Sequence, residues 1–137
     1  MMLYVLDACA LLSLLRNEPG ADSVATTINA ANNGEARIIM NKVNLLEVFY
    51  DLYRTLGEEK ACFILDEIKK RPIEINAEIS DAIFNEAGRL KATYRISLAD
   101  SFVVAQAIVS NGTLLTSDHH ELDLVEKTKN IDFCWIR

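Results

Sequence analysis

Four carboxylates stand out in this chain because each sits where an apolar element ends or begins: Asp7 in VLDACALL, Glu47 in NLLEVFY, Asp100 in SLADSFVVAQA and Asp118 in LLTSDHHELD. Taken singly, each has a local structural reading. Asp7 and Asp118 can cap helices, and Ser97-Leu98-Ala99-Asp100 and Asn44-Leu45-Leu46-Glu47 both have the form of a capping box. Taken together they have another, because carboxylates within ~4 to 6 Å of one another repel and raise each other's pKa unless positive charge lies between them. A hard divalent cation, magnesium or manganese, takes oxygen ligands, keeps several waters and lets phosphate oxygens complete its shell. Such an ion generates hydroxide near neutral pH and neutralises charge that develops on phosphorus. The chemistry suggested is phosphodiester hydrolysis without a covalent nucleophile.

The elements that must bring these acids together are legible in the apolar periodicity. Met2 to Leu6 reads as a strand ending just before Asp7, and leucines 11, 12, 14 and 15 as a helix stopped by Glu18-Pro19-Gly20. A helix over about 21–31 ends at Asn32-Asn33-Gly34, whose glycine suits the left-handed conformation after a helix, and a strand follows over 36–40. Apolar positions 45, 46, 49, 52, 53 and 56 recur at helical spacing, which places Glu47 in the first turns of a helix over 43–56. Another helix over about 58–70 runs into Pro72 and a brief strand at 73–75. Ile79, Ile83, Phe84, Ala87, Leu90 and Tyr94 mark an amphipathic helix. The run from Leu98 to Val109 is apolar nearly all round, which predicts a buried helix with Asp100 in its first turn. After Asn111-Gly112 come a strand at 113–116, Asp118 just past its end, a polar turn with a short helical piece, and a last strand near 131–136. This alternation predicts an α/β fold, a three-layer α/β/α sandwich on a mostly parallel, five-stranded sheet. In such sheets ligands bind beyond the carboxyl ends of the strands, where strand order reverses.

Composition sets the outer bounds. A chain of 137 residues, 50% hydrophobic and 25% charged, is the size of one globular domain with a real core, so residues 1–137 are expected to form a single domain. The opening apolar run is cut by Asp7 and Arg16 and lacks a basic leader, which argues against a signal peptide or a membrane span. The three cysteines, Cys9, Cys62 and Cys134, show neither C-x-x-C nor zinc spacing, and their odd number suits a reducing cytoplasm. A net charge of -6 argues against a non-specific nucleic-acid coat, although not against a nuclease.

At this point the chain resembles a known family. VLDACALLSLL, NLLEVFY, SLADSFVVAQA and LLTSDHHELD, in this order and at these separations, are similar to the four acidic motifs of PIN-domain ribonucleases, in particular the VapC-like toxins of toxin–antitoxin pairs. The resemblance implies a PIN-like fold over the whole chain and a magnesium- or manganese-dependent endoribonuclease acting on RNA. It further implies a homodimer and a cognate antitoxin that covers the site. Position by position it makes Asp7, Glu47, Asp100 and Asp118 the catalytic, metal-binding acids; in the mechanism expected from this, Asp7, Asp100 and Asp118 hold the ion and Glu47 orients a metal ligand or the attacking water. Thr116 or Ser117 would be a supporting hydroxyl, and Asp123 a peripheral acid. One departure is plain: the family commonly carries Ser or Thr shortly after the first Asp, where this chain has Ala8 and Cys9.

Other residues invite chemical readings and have plainer ones. His119 and His120 could be a base or metal ligands, but adjacent histidines in a polar turn are more often solvated. Cys9 could be a nucleophile beside a helix N-terminus, or a small packing residue. Lys69-Lys70-Arg71 and the series Arg89, Lys91, Arg95 could contact RNA phosphates or simply complement helix C-termini. Phe49, Tyr50 and Tyr53 fit core or dimer surface better than base stacking. Two rival functions share the acidic pocket: a receiver-like binding domain that cleaves nothing, and an aspartate-based phosphatase. The latter needs an acid two residues after Asp7, where Cys9 stands.

Overall fold

The apolar opening run becomes β1 (Met2–Leu6), the central strand of a parallel sheet in the order β3-β2-β1-β4-β5. The computed structural model describes residues 1–127 and 131–137, without the side chains of residues 120, 121, 124 and 127. In chain order β1 is followed by α1 (Ala8–Leu15), α2 (Ala21–Asn32), β2 (Ala36–Asn41), α3 (Lys42–Leu56), α4 (Glu58–Lys69), β3 (Ile73–Asn76) and α5 (Asp81–Thr93). Then come α6 (Leu98–Ser110), β4 (Thr113–Thr116), α7 (His119–Lys127) and β5 (Asp132–Trp135).

Alternation along the strands divides the core in two. Neighbours in β1 and β4 point to opposite faces. Leu6 and Leu115 join Leu11, Val24, Met40, Val48 and Ile68 under α1 to α4. Val5 and Leu114 join Ile83, Leu90, Val103, Val104 and Leu122 under α5 to α7. Covered on both faces, the sheet is the middle layer of an α/β/α sandwich, as the alternation of elements predicts.

Several expectations shift by a turn. The cap of α3 is Asn41, whose side chain accepts from the Val43 N–H at 2.9 Å. The expected capping box at Asn44 to Glu47 is therefore absent, and Asn44 lies inside the helix. On α5 the buried face is Ile83, Ala87 and Leu90. Phe84 sits about 100° round from that face and is exposed, as is Ile79, which precedes the helix. Gly34 does take a left-handed conformation, φ +75°. Gly20, at φ +99°, caps α2 where a Cβ would come within 2.8 Å of the Ile136 side chain, so only glycine lets α2 enter beside the end of β5.

Strand order reverses between β1 and β4. The chain proceeds from β1 to β2 and β3 on one side, and β4 then returns to the other side of β1. Their carboxyl ends, at Leu6 and Thr116, diverge in connection and leave a crevice between them.

Candidate functional site

That crevice is where the acids meet. A pocket of about 280 Å³ is lined by Asp7, Glu47, Asp100 and Asp118, with Ala8, Cys9 and Ser97. Asp7 leaves β1, and Asp118 follows β4. Glu47 and Asp100 arrive on the first turns of α3 and α6.

Asp7 plays both parts that the sequence allows. It is the cap of α1: its Oδ1 accepts from the Ala10 N–H at 2.7 Å. Its Oδ2 accepts from the Thr116 hydroxyl. Thr116 Oγ1 in turn accepts from the Asp118 N–H at 3.0 Å, so one hydroxyl links the two acids. Asp7 is 3% exposed. Burial first, and then Asp118 and Glu47, outweigh the bonds from Thr116 and Ala10 and raise its pKa to about 7. Holding this carboxylate ionised costs free energy that a cation would offset.

Asp100 is buried, and its backbone N–H donates to Ser97 Oγ at 3.1 Å, which supplies one half of the expected capping box. Its Oδ2 has no hydrogen-bond partner, and neither has Ser117 Oγ. A donorless buried carboxylate oxygen on the wall of an acid-lined pocket fits an oxygen-seeking cation. Among the described residues, no three His, Cys, Asp or Glu side chains converge as a ready-made metal cluster. Asp7, Asp100 and Asp118 thus share the pocket without closing on a single point.

The remaining candidates separate. Asp123 does not line the pocket; it is exposed and pairs with His119 Nδ1 at 2.8 Å. The other ring nitrogen, His119 Nε2, bonds the Arg137 carbonyl at 2.9 Å, and the ring stacks on Trp135 with centroids 3.9 Å apart. With both nitrogens engaged, His119 has none left to act as a base. The side chain of His120 lies outside the described ones. Cys9 shows an exposed edge, yet burial on its pocket side and then the fields of Asp7, Asp118 and Glu47 push the thiol up to about 12. That shift works against the thiolate a nucleophile needs, and the residue lines the pocket rather than packing the core.

Phe49 packs partly against the core and meets Tyr53 edge-on at 5.8 Å, while Tyr50 and Tyr53 are exposed. Topology separates the two basic stretches. Lys69 to Arg71 precede β3, hence lie at the amino-terminal rim of the sheet, across from the acids. Arg95 lies two residues from Ser97 of the pocket. The sequence offered Asn44 only as the start of a capping box; it is instead fully buried between α3 and α6, and its polarity inside an apolar stripe was the available signal.

The class of protein defined so far is a five-stranded parallel α/β/α sandwich with four acids around the crevice at its switch point. The match to the PIN domain profile over residues 4–127 narrows this class. The chain belongs to the PIN domain family. It is similar in fold to VapBC2 from Rickettsia felis bound to a DNA fragment from their promoter, at 20% identity over 97% of this chain and 98% of that one, TM-score 0.74. DNA-bound VapBC from Salmonella typhimurium matches at 12% identity over 100% of both chains, TM-score 0.76. A toxin-antitoxin complex from Klebsiella pneumoniae matches at 18% identity over 87% of this chain and 89% of that one, TM-score 0.62. Comparison with curated proteins gives no match. Among the described residues no helix is long and apolar enough to cross a membrane.

Proposed function

We propose that this chain is a single-domain, magnesium- or manganese-dependent endoribonuclease, the VapC-like toxin of a toxin–antitoxin pair. The observation that carries the reading is the convergence of four acids from four separate segments on one pocket, one of them with a buried oxygen that lacks a donor. Asp7, Asp100 and Asp118 would hold the ion, and Glu47 would orient a bound water. A divalent ion there supplies an activated water and neutralises charge on the scissile phosphate. The chain's own contribution is placement. Thr116 holds Asp7 and Asp118 in register, and the burial of Asp7 keeps bulk water from screening its charge. An aspartyl nucleophile is disfavoured, because both Asp7 oxygens already accept bonds from Ala10 and Thr116.

For partners the reading takes RNA as substrate, an antitoxin and a second copy of the chain. The fold's likeness to chains from a toxin-antitoxin complex supports the antitoxin. Exposed Leu46, Tyr50, Tyr53, Leu56 and Phe63 on α3 and α4 give such partners an apolar surface. The deciding experiment is cleavage of a structured RNA by the wild type and Asp7→Asn, each with manganese and with a chelator, folding being followed by circular dichroism. Cleavage that requires both Asp7 and the metal is the expected outcome. Manganese binding with every RNA left intact would favour the receiver-like binding domain instead.

A further inference from the structure

Asn44 has no exposed surface and lies in the first turn of α3 without capping it. Its Nδ2 donates to the Ala99 carbonyl at 2.9 Å. Ala99 immediately precedes Asp100, and Asn44 precedes Glu47 by three residues, which puts the two on one face of α3. The Asn44–Ala99 hydrogen bond therefore joins the two helix turns that bring half of the acids to the pocket.

The polarity of Asn44 is costly. Its Oδ1 is buried with no partner, as is Asp100 Oδ2, so two donorless acceptors belong to the two residue pairs that meet at this seam. Leucine has nearly the same shape and would avoid the penalty that an unpaired buried acceptor carries. An amide retained against that penalty is explained if something outside the protein's own hydrogen bonds answers the negative ends. A second buried amide group provides a contrast. Asn41 and Asn76 both donate to Gln106 Oε1, at 3.4 and 2.6 Å, and tie β2 and β3 to α6 without lining the pocket.

We infer that Asn44 is a positioning residue of the acidic pocket: its amide sets the first turn of α6 against that of α3, and so the separation of Asp100 from Glu47 that a divalent cation meets. The inference rests on the reading of the pocket as a cation site. The test is manganese affinity of the full chain, followed by the free-ion paramagnetic resonance signal, with thermal midpoints recorded on the same samples. The variants are Asn44→Leu, Asn44→Ala, Asn44→Thr and Gln106→Leu. Loss of the amide should weaken manganese binding roughly ten- to a hundred-fold, the range for groups that orient metal ligands. Asn44→Thr, whose hydroxyl sits one bond nearer the backbone than the amide nitrogen and falls short of the Ala99 carbonyl, should share that loss. Gln106→Leu, which removes a buried amide from α6 six residues beyond Asp100 and outside the pocket lining, should lower the midpoint while leaving affinity within about two-fold. Equal affinity for wild type and Asn44→Ala would overturn the inference alone. So would a parallel loss in Gln106→Leu, which would mark general loosening. A wild type that binds no manganese would overturn the cation reading and this inference with it.

Discussion

At the scale of the residue, Asp7 shows why one charge is kept in an apolar strand end. Its side chain caps α1 and accepts from Thr116, yet burial still lifts its pKa to about 7. The folded protein therefore holds a proton that the unfolded chain releases between about pH 4 and 7. This group's contribution to stability is full below the ordinary carboxyl value and declines as pH rises towards 7. Asparagine caps a helix about as well as aspartate and carries no charge. In chelator, the thermal midpoint of Asp7→Asn should draw level with or exceed that of the wild type as pH rises from 5 to 8, and the gap should widen over that interval. A gap that stays constant would show that Asp7 ionises like an ordinary carboxyl. The position of Asp7 after a strand was legible in the sequence, as was its capacity to cap. Its proton affinity was not, because that depends on the contact with Thr116, 109 residues away, and on the walls around it.

At the scale of the element, α7 and β5 are joined by His119, which stacks on Trp135, and by the Trp135 indole N–H, which donates to Glu126 at 2.6 Å. The imidazole bonds the Arg137 carbonyl and Asp123, both acceptors, so its protonated form satisfies both, and its pKa is raised above the ordinary value, the Arg137 bond first among the causes. Its contribution is present below the ordinary histidine value and is lost as pH climbs through the raised one. The chain has one tryptophan, Trp135, and the imidazole lies against its ring at 3.9 Å with an interplanar angle of 16°. A protonated imidazole quenches a stacked indole. Tryptophan emission should therefore rise as pH increases through a midpoint above ~6.5, and His119→Gln should abolish that transition. A midpoint at or below the ordinary histidine value would mean that the two bonds are not kept in solution. The helices themselves were readable from apolar spacing to within a residue or two. What spacing could not say is that Phe84 faces outward while Ile83 is buried, since both are apolar and only packing against α6 decides which one turns in.

At the scale of the whole molecule, the parallel sheet decides which charged groups share an end. With a net charge of -6, few cations are available to meet a polyanion. Lys69, Lys70 and Arg71 lead into the first residue of β3, whereas Arg95 lies beside the turn that enters α6 at the acid pocket. On the proposed reading, RNA binding measured in an Asp7→Asn background should weaken with Arg95→Gln, and its salt slope should fall by about 0.7. The triple change Lys69→Gln, Lys70→Gln, Arg71→Gln should leave binding as it was. Equal losses in both variants would reject this assignment of ends. The sequence by itself determined the alternation of strands and helices, the two-sided burial of the sheet and the placing of four acids at element ends, because each follows from apolar periodicity and local caps. Only the tertiary structure decided that those acids share one pocket, that Asn44 spans α3 and α6, and that His119 is fully engaged. Those facts depend on strand order and on contacts between residues 55 and 18 positions apart, which no local spacing encodes.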